Sequence, residues 1–320
     1  EIHLIEPDVN QPSDREIANK KRHVVKVVER SLGHSLDKVI TSIRGSRSTL
    51  IVCNHVKTAQ DIYCGLKEVF GSDAVLLHSR FNQEDRNYIE SRLIGNNQLP
   101  KVLIATQVVE VSLDLDFEQA FSEPAPIDAL VQRMGRVNRA GNREPAVIVI
   151  FRDQIHPQNL YCSCKGNSHL PECRVLHSVA ELEKMENPLS EINLAEAADR
   201  VYGSGYQGED EDAFNEGLNH PDLVNFEDRL LAGAHQEWVE QVVEKSDNSI
   251  EVLPKGLAKK YEDQMDNGLW VEANALLVPV KTKALASLRG KLDLSSEPWS
   301  INVPYSSPQE PLSRGLGLEL

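Results

Sequence analysis

The stretch that decides the fold is Lys101-Val-Leu-Ile-Ala-Thr106-Gln107-Val-Val-Glu110-Val-Ser112-Leu-Asp114-Leu-Asp116, answered downstream by Asp128-Ala-Leu-Val-Gln132-Arg133-Met-Gly135-Arg136-Val-Asn-Arg139. Lys101 to Ala105 is a short apolar run of the kind that forms a buried parallel strand. It ends on Thr106, whose hydroxyl can bond a phosphate oxygen. After it, Gln107, Glu110 and Asp114 stand at near-helical spacing. Pro124 and Pro126 break the chain before a helix that begins near Asp128, a residue of N-cap type. Continued through Arg139, that helix would carry Gln132, Arg136 and Arg139 at i, i+4 and i+7, on one face. Two guanidiniums on one face beside a strand-end threonine suit phosphate, because planar forked donors match its oxygens.

Around this stretch, apolar strands alternate with amphipathic helices. Strands are predicted at 49–54, 74–78, 101–106, 119–122 and 146–151, with a looser one near Arg22–Glu29. Helices are predicted at 36–43, 56–70, 83–94 and 127–137. In the 56–70 helix, Ala59, Ile62, Leu66 and Val69 would lie along one side. That rhythm means a parallel sheet covered on both faces. Ligands in such folds bind beyond the carboxyl ends of the strands, where Asn54-His55, His78-Ser79-Arg80, Thr106-Gln107 and Glu123 all fall.

The paired blocks resemble motifs V and VI of superfamily 2 helicases. Val52-Cys-Asn54-His55 resembles motif IV, and Leu77-His78-Ser79-Arg80-Phe81 the adjoining element that follows the DNA backbone. The lead-in Pro124-Ala-Pro126-Ile-Asp128, with Ser112 in place of a common glycine, is similar to the CRISPR-associated helicase–nuclease family of type I interference systems. That resemblance implies an α/β fold: a second RecA-like lobe over 1–155, an insertion or linker over 156–221, and a small α+β C-terminal domain over 222–320. It implies a 3′-to-5′ translocase on single-stranded DNA, driven by ATP and magnesium. A first helicase lobe, an HD nuclease domain and an RNA-guided surveillance complex would be its partners. By the same resemblance, Gln132, Arg136 and Arg139 would face the ATP phosphates, with Arg139 as the finger. Asp114 and Gly135 would line the nucleotide, while Asn54, His55, Ser79, Arg80, Thr106 and Gln107 would meet DNA phosphates. A different superfamily 2 DNA or RNA helicase, or a degenerate lobe kept for docking, fits the same residues less fully.

The sequence lacks a Gly-x-x-x-x-Gly-Lys-[Ser/Thr] loop; Gly290-Lys291 is followed by Leu292. It also lacks an Asp-Glu-x-His or Asp-Glu-Ala-Asp box for magnesium and a His-Asp pair for a nuclease. The expectation is therefore one of two motor lobes, inactive as an ATPase alone. The first residue is Glu1 rather than Met, which fits a fragment or a processed piece.

Composition is consistent with this reading. The 320 residues are 40% hydrophobic and 26% charged, a folded globular balance. No apolar run approaches the ~18 residues of a membrane span. Net charge is −15, unusual for a nucleic-acid binder, but it is unevenly placed. Residues 1–155 carry 20 basic against 21 acidic groups, and the remainder 14 against 28. Only the first half offers a locally basic edge. An odd cysteine count without a secretory leader fits the cytoplasm.

In the second half, Cys162, Cys164, His169 and Cys173 have the ligand types of a tetrahedral structural zinc. Their spacing departs from Cys-x₂-Cys-x₄-His-x₄-Cys in two places, and the alternative is reduced thiols on a loop with His169 facing solvent. The Gly-, Asp- and Glu-rich 203–220 segment reads as a linker. Helices over 222–230 and 234–243 and a strand over 275–280 would build the last domain, and the Pro-, Gly- and Ser-rich tail from Pro304 would be mobile.

Overall fold

Four-residue runs that are apolar and wholly buried belong in a sheet covered on both faces. Three such runs are strands: β2 (Thr49–Val52), β3 (Ala74–Leu77) and β4 (Val102–Ala105), each buried at every position. With β1 (Lys21–Val28), β5 (Gln119–Ser122), β6 (Ala146–Phe151) and β7 (Leu189–Ser190) they form a seven-stranded sheet of order β3-β4-β2-β5-β6-β1-β7. Pairs β2–β4, β2–β5, β5–β6 and β1–β6 are parallel, and β7 runs antiparallel to β1. This computed structural model describes residues 10–94, 99–111, 114–152, 161, 173–205, 209–219, 249–310 and 312–320.

Helices flank the sheet. Val56–Phe70 buries Ala59, Ile62, Tyr63 and Leu66. Val69, expected on the same stripe, is instead 40% exposed, one residue from the helix end. Gln83–Ile94 runs as its spacing predicts.

One helix departs from expectation. Ile127–Met134 stops three residues short of the predicted end. Val137 leaves it to bridge Phe117 beside β5, and Asn138 takes a left-handed φ of 46°. The buried Asn138 amide donates to the carbonyls of Arg22 and Glu144, both at 3.2 Å, which fixes the turn. Gln132 is therefore helical, whereas Arg136 lies in a turn and Arg139 beyond it.

The chain divides into two units, one containing Leu93–Gly205 and the residues up to Leu76, the other containing Leu77–Arg92 and the residues beyond 205. The second unit has a four-stranded sheet made from β8 (Ser249–Pro254), β9 (Val278–Lys281), β10 (Leu292–Asp293) and β11 (Ser300–Ile301), in the order β10-β11-β8-β9. Val252, Val278, Val280, Leu288, Ile301, Val303 and Leu318 form its core.

Two expectations about this half change. Glu209–Leu218, inside the expected linker, is an α-helix. The tail does not run free: β12 (Tyr305–Ser306) pairs antiparallel with β13 (Gly317–Leu318), and Leu316 and Leu318 are buried. The two leucines supply an apolar anchor that the surrounding Pro, Gly and Ser obscure in the composition. Ser112, Cys162, Cys164, His169 and the expected helices of 222–243 lie outside the described residues.

Candidate functional site

The carboxyl edge of the first unit's sheet is organised by a side chain that pattern reading passed over. Arg133 is only 1% exposed, yet it is a full cation. A buried guanidinium is tolerated only when its donors are met. Its Nε donates to Glu110 Oε1 at 2.8 Å, and Nη1 donates to Ser122 Oγ at 2.9 Å and the Glu123 carbonyl at 3.0 Å. Nη2 donates to Asn54 Oδ1 at 3.1 Å and Tyr161 Oη at 2.9 Å. All five N–H groups are thus used, and Glu110 balances the charge. The signal was present in the sequence: Arg133 sits in the helical register of buried Ile127, Leu130 and Met134, where an unpaired arginine would not be tolerated.

Arg133 ties the ends of β2 and β5 to the segment after β4. Gln107 closes the ring from its own side, since its Nε2 donates to the Asn54 carbonyl and to Tyr161 Oη, both at 3.1 Å. Burial raises the Tyr161 hydroxyl pKa, with Arg133 opposing it, so the phenol stays neutral and can both accept and donate.

Arg136 and Arg139 stand at the same edge. Arg136 Nε donates to the Val109 carbonyl at 2.9 Å, and its Nη2 to the Glu110 carbonyl at 2.6 Å. The Val108–Val111 turn is therefore gripped twice, through the Glu110 side chain by Arg133 and through its backbone by Arg136. Desolvation lowers the Arg136 pKa, and repulsion from Arg139 lowers it further, against the attraction of Asp114. Arg139 pairs with Asp114 at 3.0 Å, in a bridge whose partners are 46% and 86% exposed. Two neighbouring cations held by carbonyls and one solvated carboxylate make a setting that an anionic phosphate would relieve. Gln132 is exposed on the preceding helix turn, and Gly135 caps its end.

The expected DNA-facing residues divide. Asn54 is a correction: it is 4% exposed, and its side chain is committed to Arg133 and to the Pro124 carbonyl at 2.8 Å. Its backbone N–H donates to Glu123 Oε2 as well. Asn54 braces the strand end and does not reach a ligand. Thr106 is also buried, at 3% exposure. His55 remains half-buried at the start of the 56–70 helix, and Gln107 is half-buried over the Arg133 ring. In the second unit, Ser79 is exposed and Arg80 half-buried. Arg80 Nη1 has no hydrogen-bond partner among the described residues, and burial lowers the side-chain pKa.

Of the expected zinc ligands, only Cys173 is described; it is a buried free thiol just before the Arg174–Lys184 helix. No group of three or more metal-ligating side chains occurs among the described residues. No described helix is long and apolar enough to cross a membrane.

Residues 44–142, which hold the whole Arg133–Arg136–Arg139 edge except Tyr161, match the family model for the C-terminal part of the CRISPR-associated nuclease/helicase Cas3. That stretch is therefore similar to the C-terminal part of Cas3. It is 27% identical over 230 residues to the CRISPR-associated endonuclease/helicase Cas3 of Escherichia coli strain K12, covering 64% of this chain and 24% of that protein. It is 39% identical over 102 residues to the Streptococcus thermophilus Cas3 nuclease/helicase, 30% of this chain and 11% of that one. The chain thus spans about a quarter or less of the curated Cas3 relatives it matches. Among solved structures, the ATP complex of T. fusca Cas3 superposes with a TM-score of 0.56 at 19% identity, over 87% of this chain and 38% of that one. A chain from a pre-nicking CRISPR RNA-guided surveillance complex gives 0.57 at 19%, over 95% and 45%. At those identities the likeness shows the fold alone, a parallel-strand sheet flanked by helices.

Proposed function

We propose that this chain is the second motor lobe of an ATP-dependent, 3′-to-5′ single-stranded DNA translocase acting in CRISPR interference. The observation that carries the reading is the doubly gripped 108–111 turn, in which Arg133 holds the Glu110 side chain and Arg136 its carbonyl. A rigid turn between phosphate-facing arginines and a strand end is what links nucleotide state to grip on a nucleic acid.

In this reading Arg136 and Arg139 face the terminal phosphates of ATP held, with magnesium, by a first lobe. When bound, ATP supplies the free energy of translocation. Arg139 is the finger, because its exposed partner Asp114 can release it at little cost. Arg136, backed by two carbonyls, orients the phosphate, while Gln132 and Gly135 border it. His55, Gln107, Ser79 and Arg80 contribute backbone contacts that read no base. A surveillance complex would deliver the DNA, as the context of one structural neighbour supports, and an HD nuclease domain would cut it.

The test is single-stranded-DNA-stimulated ATPase activity of the protein with its nucleotide-binding lobe supplied. Arg139→Ala should lower kcat by about 10³-fold or more while DNA affinity stays within experimental error. Retention of kcat would overturn the finger assignment.

A further inference from the structure

Asp85 belongs to no part of the site described so far, yet it is a carboxylate only 1% exposed. Its donors come almost entirely from the chain's last residues. Oδ2 accepts from Tyr305 Oη at 2.7 Å, and Oδ1 accepts from Ser307 Oγ at 2.6 Å and from Gln309 Nε2 at 2.8 Å. Asp85 also lies in the first turn of the Gln83–Ile94 helix, whose positive end favours a carboxylate. Tyr305 Oη in turn accepts from the Asn82 N–H at 3.1 Å.

The same tail reaches the Ser79–Arg80 turn. The Leu318 N–H donates to the Arg80 carbonyl at 3.0 Å. The Arg80 N–H donates to His78 Nδ1 at 3.1 Å, so His78 must donate from Nε2, which meets the Leu316 carbonyl at 3.1 Å. Both backbone groups of Arg80 are therefore fixed, one by the tail and one by a histidine that the tail holds. The His78 ring stacks on Phe81 at 4.4 Å. Gly317 permits the close pass: its φ is +65°, and a Cβ there would stand 2.7 Å from the Arg80 carbonyl.

We propose that residues 305–309 and 316–318 are a strap that positions the Ser79–Arg80 turn for a DNA phosphate, with the Asp85 carboxylate as its catch. The inference rests on the reading that Arg80 contacts the DNA backbone, and it assigns Asp85, Tyr305, Ser307 and Gln309 as positioning residues. Arg80 Nη1 is buried without a partner among the described residues, so the fixed turn holds a guanidinium with one donor unmet. Without the catch, the 79–80 backbone loses its fixed register and the guanidinium is no longer aimed.

Binding of a single-stranded oligothymidine to the full chain, titrated at several salt concentrations, tests this. Arg80→Ala should weaken binding about tenfold and reduce the salt slope by about one phosphate contact. Asp85→Asn, and separately a chain ending at Pro304, should each reproduce most of that loss and the same slope change. Asp85→Asn added to Arg80→Ala should cost nothing further. If Arg80→Ala binds like wild type, the underlying DNA reading fails. If Arg80→Ala weakens binding but Asp85→Asn and the shortened chain do not, or if the two substitutions add fully, the strap proposal is overturned. Should the shortened chain not fold, Tyr305→Phe with Asp85→Asn carries the same comparison, with circular dichroism confirming the fold.

Discussion

Arg133 and Asp85 are mirror cases of one problem. Each is a charged side chain at 1% exposure, one a cation and one an anion. The cation is met by a carboxylate, two hydroxyls, an amide oxygen and a carbonyl; the anion is met by two hydroxyls and an amide, with no cation among the side chains that bond it. Arg133 joins pieces of the first unit that are 10 to 79 residues away, whereas Asp85 joins pieces more than 200 residues apart. The lesson is that a buried charge can be used as a fastener. Its desolvation cost makes every missing partner expensive, so the pieces it joins hold one arrangement.

The comparison can be broken first at the cation. Arg133→Met leaves the largely buried Glu110 carboxylate without its partner and strips donors from Asn54, Ser122 and Tyr161. We expect a loss of about 3–5 kcal/mol in chemical denaturation. Arg133→Lys keeps the charge but not the fork, so its loss should be intermediate. A Met variant as stable as wild type would show that the ring is decoration.

The second test sharpens the anionic side. Burial and the Arg80 charge hold the His78 pKa down at about 3, against 6.5 for the free side chain. Below pH 6.5 the unfolded chain takes up a proton that the folded chain refuses, so stability falls as pH drops toward 3 and levels off beneath it. That group alone contributes at most ~1.4 kcal/mol per pH unit in the window. In His78→Gln the acid slope between pH 6 and 4 should flatten by that amount; an unchanged slope would remove His78 from the strap's hold on Arg80.

The smallest effect belongs to a charge pair that is not buried. Asp114→Asn breaks the exposed bridge to Arg139 and should cost less than about 1 kcal/mol. A cost comparable to that of Arg133→Met would mean that Arg139 is locked in place and is not available to a phosphate.

Much of the first unit was legible because its central strands are apolar and its 56–70 helix periodic. The 83–94 helix, most of which belongs to the second unit, also kept its expected bounds. The end of the 127–134 helix was not legible, because the competing interaction is a bridge from Val137 to Phe117, twenty residues away in sequence. Arg136 and Arg139 came to the expected edge without the expected shared helix face. Asn54 was misread for the opposite reason: a polar residue after a strand resembles a ligand until its partners, Arg133 and the Pro124 carbonyl, are known. The tail was opaque because its composition is that of a loop, and only two leucines and a long-range catch give it a place.

The antiparallel strand at the far side of the sheet, Leu189–Ser190, is only two residues long. A row of unpaired amides at a sheet margin is an invitation to foreign chains, and a margin this brief offers almost nothing to copy. On that flank Asn187 also closes part of the neighbouring β1, accepting from the Val25 N–H and donating to its carbonyl.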